Sequence, residues 1–308
     1  MTAHPLPTVL LGNLLVMLAG WLVQRRTHNA SIVELLWAAG IGASALYYGA
    51  VAQGSLVSGL LVGLMGGIWS FRLIMHLLRR MLVEHEDPRY RHLRARWGAH
   101  QQRWLFALFV GKAVSATLYS VPLYVAASNP AAQSDEWTVA AALVYLAGFS
   151  GEAYADLQLS AFRAKPRHLG RTCRRGLWRY SRHPNYLFGC LYWFCYVLLA
   201  VGMPWPQWSA TLLGPLLTAL GWIVRIPAAE AQAIRTRGDD YRDYRAATSA
   251  LLPWLPRGWP NDAPEPRRRD AATPSRVPTP TSLRTPPVYL KRSPVPPSSD
   301  AGERPAGE

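Results

Sequence analysis

The chain has 308 residues, of which 50% are hydrophobic and only 17% are charged. Because a soluble domain carries roughly 25% charged residues, this composition excludes an ordinary soluble enzyme, a disulfide-built scaffold and a wholly disordered chain. It is typical of a protein that crosses a membrane several times. The net charge of +15 would indicate nucleic-acid binding in a soluble protein, but its distribution along this chain favours a different explanation.

Seven apolar stretches are long enough to be membrane-spanning helices. About 20 mostly apolar residues cross the hydrocarbon core of a bilayer. The first stretch lacks a small-residue cleavage pattern and is followed by Arg25 and Arg26, so we expect it to be a retained helix rather than a signal peptide. The predicted spans are residues 7–23, 31–52, 55–75, 105–127, 137–159, 186–202 and 208–225.

The lysines and arginines between these spans fall in alternate segments. Residues 24–30, 76–104 and 160–185 carry two, seven and eight of them, whereas residues 53–54 and 128–136 carry none. Because cytoplasmic loops hold an excess of Lys and Arg, we predict an all-α bundle of about seven spans with its N-terminus outside and its C-terminus in the cytoplasm. The expected partner of these charges is therefore the lipid bilayer and not a nucleic acid.

The chain divides into two regions. Residues 1–255 form the predicted membrane domain, and residues 256–308 are so rich in Pro, Arg and Ser that we expect a disordered cytoplasmic tail. The three cysteines, Cys173, Cys190 and Cys195, form neither a disulfide framework nor a metal-binding pattern. The chain also has no P-loop and no dinucleotide-binding glycine motif, and we expect no metal site.

Ionisable residues inside predicted spans are expensive, so each is a candidate for function. Glu34 is either a buried acid facing a cavity or an interfacial residue at a helix N-terminus, where the helix dipole favours it. Arg72 and Lys112 are expected to extend toward the membrane surface. Glu152 and Asp156 are four residues apart and should share one helix face.

Two polar segments lie beside the last spans. The run from Gly176 to Phe188 places Arg, Ser, His and Asn side chains directly before a helix, which is typical of an anion-binding site. A positively charged membrane anchor would explain the Arg and Trp residues of this run but not its Ser, His and Asn residues. We therefore favour an anion-binding site. Farther on, Tyr241 and Tyr244 lie on adjacent turns of one helix face. They either cover an adenine or phosphate group or belong to a helix on the membrane surface.

Two other groups of residues have simpler interpretations. Gly63, Gly66 and Gly67 lie within an apolar span and are predicted to allow close helix packing. The residues at 85–87 and His92 are predicted to form a solvated loop.

The chain resembles, over about residues 10–255, the bacterial membrane proteins grouped with the steroid 5-alpha-reductase C-terminal domain. The most specific stretch is the run from Trp178 to Tyr186, and residues 31–37, 72–97 and 230–254 also match. Isoprenylcysteine carboxyl methyltransferases share the wider fold and have similar Arg-His-Pro-x-Tyr and Tyr-x-x-Tyr elements. The resemblance implies an enzyme of the bacterial inner membrane whose C-terminal half holds the cofactor.

The resemblance further implies an NADPH-dependent reductase that adds a hydride to the β-carbon of a lipophilic enone, steroid-like or isoprenoid. Glu34 is the implied proton-handling residue, at a position where the relatives are expected to have Asp. The implied cofactor-binding residues are Asp156, Arg163, Ser181, Arg182, His183, Asn185, Tyr186, Arg225, Glu230, Tyr241 and Tyr244.

One position departs from the pattern of these relatives. Gly189 lies in the part of the sixth predicted span where the pattern usually carries a Glu. Two alternatives to a reductase therefore stay open: an S-adenosylmethionine-dependent methyltransferase on the same helical scaffold, and a relative that has lost its activity. Asp156 and residues 31–98 favour the reductase over the methyltransferase, whereas Gly189 is the residue that a lost activity would explain.

Overall fold

A computed structural model describes residues 5–83, 86–130 and 135–257 of the chain. Throughout these residues the secondary structure is helical, with short 3-10 turns and no strand, which confirms the all-helical prediction. The predicted tail lies outside the described residues from residue 258 onward. The helices are α1 (Pro5–Thr27), α2 (Ile32–Val51), α3 (Leu56–Val83), α4 (Pro88–Trp97), α5 (Gln101–Ala127), α6 (Asp135–Arg163), α7 (Leu177–Tyr180), α8 (Pro184–Leu199), α9 (Leu213–Arg237) and α10 (Asp239–Ala247).

Each of the seven predicted spans overlaps one of these helices. Among the described residues, five helical segments are long and apolar enough to cross a membrane. Helix α8 is apolar but has only 16 residues, and α6 carries charged side chains in its C-terminal half. The count of seven spans and the orientation of the termini therefore stay predictions. The five segments are Pro5–Thr27, Ile32–Val51, Leu56–Leu82, Arg89–Ala127 and Trp208–Arg237.

Aromatic side chains fill the interior where α2, α3, α5 and α8 meet. Trp69 of α3 stacks on Tyr192 of α8 with ring centroids 5.3 Å apart, and both residues are buried. Tyr48 of α2 donates to or accepts from Ser120 of α5 at 3.2 Å. Such rings bury large apolar areas while a polar atom at the edge finds a partner, which suits the interior of a helix bundle.

Helices α2 and α3 approach each other through small residues. A Cβ atom added to Gly49 would lie 2.6 Å from the carbonyl oxygen of Gly59, and one added to Gly66 would collide with Ala45. The packing role predicted for Gly66 is thus confirmed, whereas a Cβ on Gly63 would meet nothing closer than 3.9 Å. Close approach of backbones at small residues is the usual way that helices associate within a bilayer.

Candidate functional site

A carboxyl, a hydroxyl and an amine meet at the start of α2. Glu34 lies in the first turn of that helix, and its Oε1 accepts a hydrogen bond of 2.7 Å from the hydroxyl of Tyr90 on α4. Its Oε2 is 2.7 Å from Nζ of Lys112 on α5. Only 16% of the Glu34 side chain is exposed. Of the two interpretations of this residue, a buried acid and an interfacial one, this exposure supports the buried acid. We expected Lys112 to extend toward the membrane surface. Its ammonium instead pairs with Glu34 and lies over the ring of Trp37.

The segment before α4 fixes the position of Tyr90. Asp87 caps α4 by accepting the backbone N–H of Arg89, and Pro88 occupies the first helical position. The carboxylate of Asp87 also pairs with the guanidinium groups of Arg89 and Arg80, each at 3.0 Å. Burial alone would raise the pKa of Asp87, but the hydrogen bonds and charge of Arg89, helped by Arg80, hold that pKa below its ordinary value.

The prediction of a solvated loop at residues 85–87 is wrong for Glu86 and Asp87, because both are buried. Glu86 Oε1 accepts the backbone N–H of Ala30 at 2.7 Å and Nε of Arg94 at 3.1 Å. Asp87 donates its own N–H to Ser31 Oγ at 2.8 Å. These bonds tie the segment to the start of α2. His92 is exposed as predicted, but it lies on helix α4 and not in a loop. Residue 85 lies outside the described residues.

A narrow cleft lies beside Glu34 and Tyr90, with about 20 Å³ of open space, roughly the room that one water molecule needs. Its lining combines two apolar side chains of α3, Leu77 and Met81, with charged groups from α2, α3, α4 and the segment before α4. The lining residues are Ser31, Glu34, Leu77, Arg80, Met81, Asp87, Arg89 and Tyr90.

A second charged cluster joins α3, α6 and α8. Arg72 contacts Glu152 Oε1 at 2.6 Å and Asp156 Oδ2 at 3.1 Å, so the two acids share one helix face as predicted. Asn185, in the first turn of α8, donates to the other oxygen of Asp156 at 3.2 Å. The expectation that Arg72 extends to the membrane surface is wrong, since its side chain is only 16% exposed and is held by two carboxylates.

A third cluster surrounds Glu230 on α9. Its carboxylate contacts Nε of Arg182 at 3.1 Å, Nε2 of His183 at 3.3 Å and Nε of Arg245 at 3.2 Å. Burial lowers the pKa of His183 although Glu230 acts in the opposite direction. Burial thus favours the neutral imidazole, whose Nε2 lies 3.3 Å from the Glu230 carboxylate. Tyr186 stacks on the His183 ring at 5.2 Å.

Three of the residues predicted to contact a cofactor are buried by packing within the protein. The Tyr244 hydroxyl donates to the carbonyl oxygens of Trp178 at 2.6 Å and Ser181 at 3.2 Å. Ser181 Oγ accepts the N–H of His183. Burial also raises the pKa of Tyr241 to about 12, so its hydroxyl stays protonated. In this arrangement Ser181 and Tyr244 hold the segment before α8 in place, and Tyr241 packs against Tyr244 with ring centroids 5.8 Å apart.

The remaining two predicted residues lie on the surface. Arg163 is exposed at the end of α6, and Arg225 is exposed on α9, more than one helical turn before Glu230. Their assignment to a cofactor site stays a prediction.

Residues 20–248 match the family described as Protein of unknown function (DUF1295). The chain belongs to the DUF1295 family. This family is associated with steroid 5-alpha-reductase-like proteins, in agreement with the resemblance at the level of the family. No significant match to the chain was found among curated proteins or among solved structures.

The DUF1295 region contains all three charged clusters and every residue predicted for the site. Within the part of the chain that the structure describes, no group of three or more His, Cys, Asp or Glu side chains is placed to hold a metal ion. The region ends just after α10, so the segment from residue 249 onward lies beyond the family match.

Gly189 of this DUF1295 protein faces the Arg72 cluster. A Cβ atom at this position would lie 3.6 Å from the carboxylate of Glu152, an ordinary van der Waals distance. A carboxylate supplied by α6 therefore occupies the space beside the glycine. The absence of an acid at position 189 does not leave this part of the interior without a carboxyl group.

We expect Gly189→Glu to lower stability by about 1–3 kcal/mol, because it adds a third carboxylate beside a single guanidinium in a buried site. Adding Glu152→Gln to that variant should restore the stability, since the total charge of the cluster then returns to its original value. Thermal unfolding of the detergent-purified protein measures both effects. If the double variant were no more stable than Gly189→Glu alone, a carboxyl at position 189 could not take the place of the Glu152 carboxyl.

Proposed function

We propose that the protein is a membrane-bound NADPH-dependent reductase of the carbon–carbon double bond in a lipophilic enone, steroid-like or isoprenoid. The observation that carries this proposal is the hydrogen bond from Tyr90 to Glu34, whose charge Lys112 balances, beside a narrow cleft that Leu77 and Met81 help to line. This arrangement offers a hydrogen-bond donor to a ketone oxygen. The family association with steroid 5-alpha-reductase-like proteins supports the same chemistry.

The protein residues act on the carbonyl end of the substrate. NADPH, when bound, supplies the hydride that adds to the β-carbon, and the electrons of the double bond then move toward the carbonyl oxygen. A carbonyl oxygen that enters the cleft competes with Glu34 for the hydroxyl proton of Tyr90. Tyr90 then stabilises the negative charge that develops on this oxygen. Water supplies the proton that the α-carbon gains, which yields the saturated ketone and NADP+.

The segment before α8 has the chemistry that a dinucleotide phosphate requires. Residues 160–185 contain eight Lys and Arg residues and no acid. Among the described residues, Thr172 Oγ1 and His168 Nε2 are buried in this segment without a hydrogen-bond partner. We assign the phosphates to this basic segment, and the sugar and amide groups to Asn185 and Asp156 at the start of α8 and the end of α6. Ser181, Tyr241 and Tyr244 act as positioning residues.

Thermal shift of the detergent-purified protein with NADPH, NADH and S-adenosylmethionine tests the proposal. A ligand that binds only the folded state raises its stability by an amount set by the ratio of concentration to Kd. We expect a shift with NADPH, followed by oxidation of NADPH when flat lipophilic enones are added. A shift with S-adenosylmethionine alone would support the methyltransferase instead. No shift with any of the three would indicate a non-catalytic protein.

We expect Asn185→Ala to weaken NADPH binding by about tenfold, because one hydrogen bond contributes roughly 1–1.5 kcal/mol. Gln232→Ala is the matched control, since it removes an exposed amide on α9. Isothermal titration of both variants gives the comparison. An unchanged affinity in Asn185→Ala would remove this residue from the site. Arg182→Ala is a poorer test, because Arg182 also balances the charge of the buried Glu230.

A further inference from the structure

The segment that follows α10 exposes three large apolar side chains side by side. Leu252, Trp254 and Leu255 are 70%, 69% and 74% exposed. With Tyr180 and Pro253, the last two of them line a shallow depression. We refer to residues 252–255 as the apolar loop. Soluble surfaces seldom expose such a contiguous group, and its presence indicates an interaction surface.

Backbone hydrogen bonds hold the apolar loop in a fixed place. Trp254 donates its N–H to the carbonyl oxygen of Tyr180 at 3.1 Å, and Arg182 donates to Ser249 at 2.9 Å. On the far side of the loop, the N–H of Arg257 reaches the carbonyl oxygen of Ala247 at 2.9 Å. The loop is thus anchored at both ends, and its apolar side chains point away from the protein.

These bonds also fix the depth of the loop relative to α8. Tyr180 lies four residues before Pro184, where the apolar helix α8 begins. The apolar loop therefore lies at the level at which α8 would enter the bilayer. Tryptophan beside leucine is the composition that settles at this level, with the ring among the lipid headgroups.

Basic residues accompany the loop. Arg179 precedes Tyr180, Arg257 follows Leu255 by two positions and is exposed, and Arg245 of α10 is about half exposed. Juxtamembrane cations are attracted to anionic headgroups, with about 1 kcal/mol for each Lys or Arg near the surface. An apolar group next to cations is complementary to an anionic membrane surface.

We propose that the apolar loop inserts into the headgroup region of the leaflet at which α8 begins, and that anionic lipid strengthens this insertion. The loop acts as an interfacial anchor that lies on the membrane without crossing it. Because it is bonded to Tyr180 and Arg182, it also holds the polar segment before α8 at the membrane surface. This inference rests on exposure and charge and does not depend on the proposed reductase activity.

Depth-dependent quenching of a label on the loop tests the proposal. The full chain carrying Leu255→Cys is labelled with an environment-sensitive fluorophore and placed in nanodiscs of phosphatidylcholine and phosphatidylglycerol. The native Cys173, Cys190 and Cys195 are buried, so the unmodified protein measures the background labelling. The matched control is Asp243→Cys, an exposed polar position on α10.

We expect nitroxides near the headgroups to quench the label at position 255 more than nitroxides deep in the acyl chains, as insertion of ~5–10 Å requires. Aqueous iodide should quench the label at position 243 and not the one at 255. Discs of phosphatidylcholine alone should reduce the nitroxide quenching at 255. Iodide quenching at 255 equal to that at 243 would overturn the proposal. Protection of 255 from both quenchers would also overturn it, since protein, such as residues 258–308 or a second copy, would then cover the loop.

Discussion

Arg72→Met is expected to lower the free energy of unfolding by about 3–5 kcal/mol, because it leaves buried carboxylates without their counter-charge. Glu152 and Asp156 both depend on the Arg72 guanidinium, at 2.6 and 3.1 Å. Asn185 donates one hydrogen bond to Asp156 and cannot replace a positive charge. Thermal unfolding and size-exclusion profiles of the detergent-purified protein report the loss.

Two further variants separate charge from packing. Arg79→Met removes an exposed arginine seven positions along the same helix and should leave stability unchanged. The triple variant Arg72→Met, Glu152→Gln, Asp156→Asn has no charge left in the cluster and should recover much of the loss, since neutral groups of similar shape replace a buried ion network with little cost. If Arg72→Met unfolded no more readily than Arg79→Met, the cluster would have no stabilising role.

Tyr90→Phe is expected to reduce enone turnover by about 10²–10³-fold, the contribution typical of one hydrogen-bond donor that stabilises a developing oxyanion. NADPH affinity should not change, because Tyr90 is not among the residues assigned to the cofactor and its helix α4 packs against α5. The variant should fold, since it loses one hydrogen bond to Glu34 and keeps the ring. Steady-state NADPH oxidation together with direct NADPH binding distinguishes the two effects.

The control for this variant is Tyr48→Phe, which removes another buried hydroxyl, bonded to Ser120 and remote from the cleft lining. Glu34→Gln should also abolish turnover and retain NADPH binding, because the neutral amide neither holds Tyr90 in the same way nor balances Lys112. Normal turnover in Tyr90→Phe would remove the hydroxyl from the reaction. Normal turnover in Glu34→Gln would show that the Glu34 carboxylate has no part in the reaction.

The periodic features of the chain were predictable from sequence. Apolar stretches of the length needed to cross a bilayer correspond to helices, and the spacing of Glu152 and Asp156 placed both on one face. The side-chain partners were not predictable in the same way. Arg72 meets Asp156 across 84 positions of sequence, and a single chain contains no local signal for such a pairing. Lys112 and Glu34 are likewise 78 positions apart.

Tyr90 was the important omission from the predicted site. It lies in a stretch with so many charged residues that a solvated loop was the natural interpretation. The available signal was the Asp87-Pro88 pair, which is a strong helix start and places Tyr90 within the first turn of α4. The buried state of Glu86 and Asp87 arises from contacts with residues 30 and 31, which only the folded chain brings close.

The position of Arg72 on α3 has a consequence for how the chain enters the membrane. The predicted span within α6 carries two acids, Glu152 and Asp156, and each opposes insertion by up to about 2.5–3.5 kcal/mol, the cost of an acid at the bilayer centre. Synthesis proceeds from the N-terminus, so α3 is already present when α6 emerges from the ribosome. Arg72 can then receive Glu152 and Asp156 as they arrive. If α6 crosses the membrane as predicted, we expect the earlier half of the protein to assist insertion of the later half, so that assembly is ordered in time as well as in space.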